Sequence, residues 1–228
     1  MKESWQNLID LIANPKAMFT RLKSKPKWGV AFGVFCFLVV VLAWIVFPFT
    51  QKFINPQYAS SLADIELFGS TKAASMVFVA AGGIILGVLC AVVFSIVLTL
   101  VSRVFKVNEA LKFKHIFAAW WHTILINPLI FFINIAFLPV FRSIEDIETV
   151  VDMRIIPGIH MLVMSVENQY LLFFLSYIDI LGIWSVFILT VAVSTLAEVN
   201  KARACLTAVI IWLLRIGVDT LFQVGSSS

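Results

Sequence analysis

Residues 73–101 read AASMVFVAAGGIILGVLCAVVFSIVLTLV, twenty-nine positions without one charge. A helix crosses a hydrocarbon core with about 20 residues, so this run is long enough to span it. It has no period-two alternation, which excludes a barrel strand. Four further runs share its character: 28–49, 116–141, 170–197 and 204–222. The chain as a whole is 61% hydrophobic and 13% charged, about half the charge of a soluble domain. That balance excludes a soluble enzyme, a nucleic-acid-binding domain and a disordered tail.

The predicted fold class is therefore an all-α integral membrane protein with five transmembrane helices and short amphipathic interfacial helices. Residues 1–27 form an amphipathic segment, 28–222 the membrane domain, and 223–228 a tail whose Gly225-Ser226-Ser227-Ser228 reads as an appended linker. The first run exceeds a signal-peptide core and lacks a small-residue cleavage site after it, so it is expected to stay as an anchor.

Lys and Arg in short loops set the orientation. Residues 2–27, the loop after 101 and the loop before 204 hold twelve of them, against four in the opposite loops. Acids divide the other way, seven against four. The N-terminus is expected in the cytoplasm and, with five spans, the C-terminus outside. The formal net charge of +4 thus reads as a topology signal facing anionic headgroups, not as a nucleic-acid surface.

Ahead of the first span, Trp5, Leu8, Ile9 and Ile12 form an apolar stripe at helical spacing. Asn14-Pro15 should end that helix and start another, with Asn as N-cap and Pro at the first helical position. The second helix carries Met18, Phe19 and Leu22 opposite Lys16, Arg21 and Lys23, the pattern of a helix lying on an anionic leaflet. A docking surface for a cytoplasmic partner is the other reading.

Three charges fall inside spans, each costing about 2.5–3.5 kcal/mol on the insertion scale. Counting 1.5 Å per residue puts Asp179 about 13 Å and Arg215 about 10 Å below the outer ends of their antiparallel spans. Arg215 and Asp219 stand four apart on one helical face. The expected arrangement is a structural charge cluster of Asp179, Arg215 and Asp219, with Asn127 near the same level. A small transporter or channel using Asp179, Arg215 and Asn127 is the alternative. Pro128 should loosen or kink the third span by removing one helix hydrogen bond.

Gly82, Gly83 and Gly87 give the second span a small-residue face for close helix packing, inside the monomer or in a homodimer. Residues 142–169 form the longest outer loop. Ser143 with Asp146 resembles a capping box, and Ile144, Ile147 and Val151 make an apolar stripe. An amphipathic element resting on the outer leaflet is expected there. Its acids Glu145, Asp146, Glu148 and Asp152 offer an external partner surface. Cys36, Cys90 and Cys205 read as buried small hydrophobes, and His115 and His122 as interfacial. No metal-ligand spacing, nucleophile elbow or phosphate loop occurs, so neither cofactor nor catalysis is expected.

Several stretches together resemble a known family. They are Asn14-Pro15, Pro26-Lys27-Trp28, Phe113-Lys114-His115-Ile116-Phe117-Ala118-Ala119, the run Ile178-Asp179-Ile180-Leu181-Gly182-Ile183-Trp184-Ser185-Val186-Phe187-Ile188-Leu189, and Glu198-Val199-Asn200-Lys201-Ala202-Arg203-Ala204. The chain is similar to the bacterial branch of the Yip family, the Ypt/Rab-interacting five-span membrane proteins. It lacks the Asp-Leu-Tyr-Gly-Pro signature of the eukaryotic members, its nearest stretch being Glu66-Leu67-Phe68-Gly69. The resemblance implies a non-enzymatic protein of the bacterial plasma membrane that acts through protein contacts, with Asp179 and Trp184 as structural positions. Some bacterial relatives accompany ABC exporters of the macrolide-exporter kind. The expected partners are thus the lipid bilayer and a membrane protein, with ABC exporter subunits and a role in toxin or antimicrobial-peptide resistance as the specific expectation.

Overall fold

Asn14-Pro15 does end one helix and start the next. In the computed structural model, α1 (Lys2–Ala13) stops there and α2 (Pro15–Ser24) begins with Asn14 as its cap. The Asn14 side chain accepts a 3.2 Å hydrogen bond from the Ala17 N–H, satisfying one of the free donors of a helix start. The structure describes residues 2–54, 69–104, 112–142, 146–147, 150–163 and 168–225. Glu66-Leu67-Phe68 lies outside them.

Seven more helices follow among the described residues: α3 (Gly29–Ile54), α4 (Gly69–Val104), α5 (Phe113–Ile124), α6 (Ile126–Phe141), α7 (Gln169–Ser176), α8 (Ile180–Ala197) and α9 (Lys201–Gly225). No strand occurs among them, only one isolated bridge between Gly158 and Asp179. Three helical stretches of the described residues are long and apolar enough to cross a membrane: Met76–Ile96, Phe113–Phe141 and Ile180–Ala197. Gly29–Ile45 is apolar but shorter. The five predicted runs all fall on helices, and two of them are divided. The third breaks at Leu125 between α5 and α6, where the missing Pro128 N–H leaves the Ile124 carbonyl without its intrahelical donor. The fourth breaks at 177–179.

Backbone contacts divide the chain into two compact units. The first comprises Met1–Cys36, Ile85–Asn127 and Leu181–Leu214. Its core is an aromatic cage around the fully buried Trp121. Phe32, Phe35 and Phe117 meet that indole edge-on, with centroids at 4.8, 5.3 and 6.0 Å. Each such pair contributes about 0.5–1.5 kcal/mol beyond area burial. Gly87 makes the cage possible, because a Cβ there would meet the Phe35 ring at 2.9 Å. Helix α2 packs on α1 and α5, and its Met18, Phe19 and Leu22 are fully buried. The expectation that this face rests on lipid is corrected: it closes onto the protein. His122 is likewise buried, its Nδ1 2.8 Å from the Ala118 carbonyl. Lys23 pairs with Glu198, a non-glycine residue at φ 57° in the turn from α8 to α9. Asn200 then caps α9, accepting from the Arg203 N–H at 2.9 Å. Cys90 and Cys205 lie exposed, against the expectation of burial.

The second unit comprises Phe37–Ile84, Pro128–Ile180 and Arg215–Ser228. Gly83 packs here on Val39, whose Cγ1 lies 3.2 Å from where its Cβ would stand, whereas Gly82 has open space. Residues 150–163 form two short 3-10 turns, Val150–Met153 and Ile159–Leu162, and 143–145 and 148–149 of the expected amphipathic element lie outside the described residues. Ile147 and Met153 are buried in one cluster with Ile135 and Leu138, with Ile45, Phe131 and Ile155 packed against it. The first part of the loop turns Ile147 and Met153 into the protein, where Asn134 anchors it, while Ile159 and Leu162 stay exposed.

Candidate functional site

Asn134 stands in the apolar run of α6 with its side chain almost wholly buried. Its Nδ2 donates to the Ile130 carbonyl at 2.9 Å. Its Oδ1 accepts from the Ile155 and Ile156 N–H groups at 2.9 and 3.1 Å. Two backbone donors of the loop thereby find a partner beside a membrane-type helix, where each unmade bond costs about 1–3 kcal/mol. Asn134 pulls the loop in.

The loop in turn completes the break between α7 and α8. The Ile178 carbonyl, outside either helix, accepts from the Ile159 N–H at 3.1 Å. Gly158 lies so close that a Cβ there would come within 3.1 Å of the Ile178 oxygen and of the His160 Nδ1, and 3.3 Å of the Asp179 Cβ. Only glycine allows that approach without a shift.

Around this junction the polar side chains form a chain of contacts. The Arg154 guanidinium carbon lies 3.7 Å from the Tyr177 ring centroid and 5.7 Å from that of Phe173. Its Nη1 makes a long 3.4 Å bond to the Ser176 carbonyl. The Tyr177 hydroxyl donates to Asp219 Oδ2 at 3.3 Å, and Arg215 Nε stands 3.4 Å from the same oxygen. Arg142 pairs with Asp152 at 2.7 Å. His160 is buried beside this group. Burial holds its imidazole below the ordinary histidine range, with Arg154 and Arg142 pushing the same way and Asp152 opposing. Two buried nitrogens, Arg154 Nε and His160 Nδ1, find no partner among the described residues.

The predicted residues distribute as follows. Arg215 and Asp219 meet as expected. Asp179 is 5% exposed and immediately precedes the first residue of α8. The depth counted along an unbroken helix is therefore corrected, since 177–179 are not helical. A carboxylate at that position faces the positive end of the α8 dipole, which stabilises it there. Asn127 lies on α6 in the first unit. Gly83 and Gly87 pack within the monomer. Among the loop acids, Asp152 is held by Arg142, Asp146 is exposed, and Glu145 and Glu148 lie outside the described residues. Sequence reasoning missed Asn134, Arg154 and Tyr177. An amide inside an apolar run was the available signal for Asn134, because the argument that made charges conspicuous there applies to amides too.

Chemically, the arrangement pins elements together. Guanidinium, phenol and carboxylate groups are engaged with one another. A family model described as the Yip1 domain matches residues 9–219. No curated protein and no solved structure matches the chain.

Proposed function

The chain belongs to the Yip1 domain family, and from that premise we propose that it is a non-enzymatic, five-span protein of the bacterial plasma membrane, acting through contacts with other membrane proteins. Its N-terminus lies in the cytoplasm and its C-terminus outside, as the twelve-to-four division of basic loop residues supports. Its partner is an ABC exporter of the macrolide-exporter kind, which it supports in resistance to toxic peptides. The observation carrying the contact role is the mutual engagement of Arg215, Asp219, Tyr177 and Arg154. These groups serve the fold, which favours an accessory role over conduction by the small-transporter alternative.

Affinity purification of the tagged chain from native membranes, followed by mass spectrometry, tests the reading. Exporter subunits enriched over an unrelated five-span control are expected. Proton- or ion-dependent flux in proteoliposomes of the pure protein would overturn it in favour of transport.

A further inference from the structure

Helix α1 is amphipathic in the reverse sense for a helix packed on its own protein. Ser4, Asn7 and Leu11 are buried, and the helix packs on α2 and α5. Arg21 from α2 reaches Asn7 Oδ1 at 2.9 Å. On the opposite face, Trp5, Ile9 and Ile12 are 55, 61 and 58% exposed. Ser4 and Asn7 thus point inward with Leu11, and the larger apolar side chains of Trp5, Ile9 and Ile12 point outward.

Two observations say what covers that stripe. Residues 2–27 carry six Lys or Arg against two acids, Glu3 and Asp10. Both acids are bound within the segment, by Lys27 and Arg21, so the surface shows a cationic surplus. The area is also small. Three side chains fall well short of the roughly 800 Å² per partner of a stable protein interface, yet suffice for a helix lying in a headgroup layer. Tryptophan is a residue type that settles at that level. Helix α5, on which α1 packs, begins the apolar stretch Phe113–Phe141, which places α1 at the end of a membrane-crossing helix.

We propose that the Trp5–Ile9–Ile12 face of α1 docks into an anionic phospholipid leaflet, with Lys16 and Lys25 of the same segment on lipid phosphates. The proposal rests on the cytoplasmic N-terminus given above. It assigns the leaflet contact to α1 alone, since the apolar face of α2 is closed onto the protein.

The test uses the full chain in nanodiscs, with Cys36, Cys90 and Cys205 replaced by alanine. A nitroxide is attached at Ile9→Cys or Ile12→Cys, with Gln6→Cys as the control. In discs containing phosphatidylglycerol, the labels at 9 and 12 should collide several-fold less with an aqueous nickel chelate than the label at 6, and more with oxygen. In pure phosphatidylcholine the difference should shrink. Labels at 9 and 12 that stay aqueous in both discs would assign the stripe to a protein partner and overturn the proposal. Dipolar broadening that vanishes on dilution with unlabelled protein would assign it to a second copy, with the same consequence. Equal protection in both lipids would remove the charge recognition. An impermeant thiol reagent on Gln6→Cys in inverted membrane vesicles tests the orientation separately. Lipid protection at Ile9 with no modification of Gln6→Cys would overturn the topology and not the docking.

Discussion

Gly82 and Gly87 lie five residues apart on α4, and the structure predicts opposite responses to the same substitution. At Gly87 a Cβ would stand 2.9 Å from two ring carbons of Phe35, where ordinary contact begins at 3.4 Å, so the ring must give by about 0.5 Å. Phe35 has little room to do so, being buried and set edge-on against Trp121, which Phe32 and Phe117 also hold. Overpacking of this kind costs about 1–3 kcal/mol, offset by at most about 1 kcal/mol from the better helix propensity of alanine. Gly87→Ala should therefore destabilise by about 0–3 kcal/mol. Gly87→Leu, which adds three more carbons to the same spot, should be worse. Gly82 has nothing within 4 Å of the same position, so Gly82→Ala should be neutral or stabilising by up to about 1 kcal/mol. Reversible unfolding in mixed detergent micelles titrated with SDS, read by tryptophan fluorescence, measures both. Equal effects at the two sites would refute the cage argument. A Gly82→Ala variant more harmful than Gly87→Ala would mean that another copy packs against α4 at Gly82.

Asn134→Leu removes the acceptor of two loop N–H groups, at about 1–3 kcal/mol each. Hydrogen exchange across 150–163 should rise in that variant, and less in Asn134→Asp, which keeps an acceptor. His160 is neutral in the fold because its proton affinity is lowered. The unfolded loop then binds more protons, so stability is full above the ordinary value of 6.5 and falls as pH drops below it. Protection factors in the loop, from exchange rates corrected for their intrinsic pH dependence, should fall between pH 7.5 and 5.5, and His160→Gln should flatten that response. Tyr177→Phe loses one long hydrogen bond to Asp219 but keeps the ring under Arg154, so it should cost about 0.5–1.5 kcal/mol. Tyr177→Leu also loses the ring contact, worth about 2 kcal/mol when desolvated. Indistinguishable stabilities for Phe and Leu would show that the Arg154 contact contributes nothing.

The helices were legible because their cause is local. Apolar runs such as 73–101 admit one backbone solution in lipid, and Asn14-Pro15 and Pro128 carry their own stereochemistry. What escaped was whatever depends on a remote partner. The stretch around Ser176-Tyr177-Ile178-Asp179 contains neither Pro nor Gly, and its break exists because Ile159, some twenty residues earlier, supplies the donor for Ile178. Periodicity found the stripe on α1 but could not say which way it faces. That is decided by α2, whose Arg21 binds Asn7 and Asp10. The pair Arg215–Asp219 was legible from its spacing, while Tyr177 and Arg154 reach it only through the folded loop.

The bond between Ile159 and Ile178 also has a direction in time. Residues 158–160 leave the ribosome before the α7–α8 pair, so the donor is made before the carbonyl it serves. A loop cut, tagged or grafted between 150 and 163 would therefore disturb a helix pair synthesised after it, and the damage would show as failed assembly of the fourth apolar run, not as a local lesion. For anyone placing an epitope or a protease site in this chain, the longest loop is the wrong place to put it.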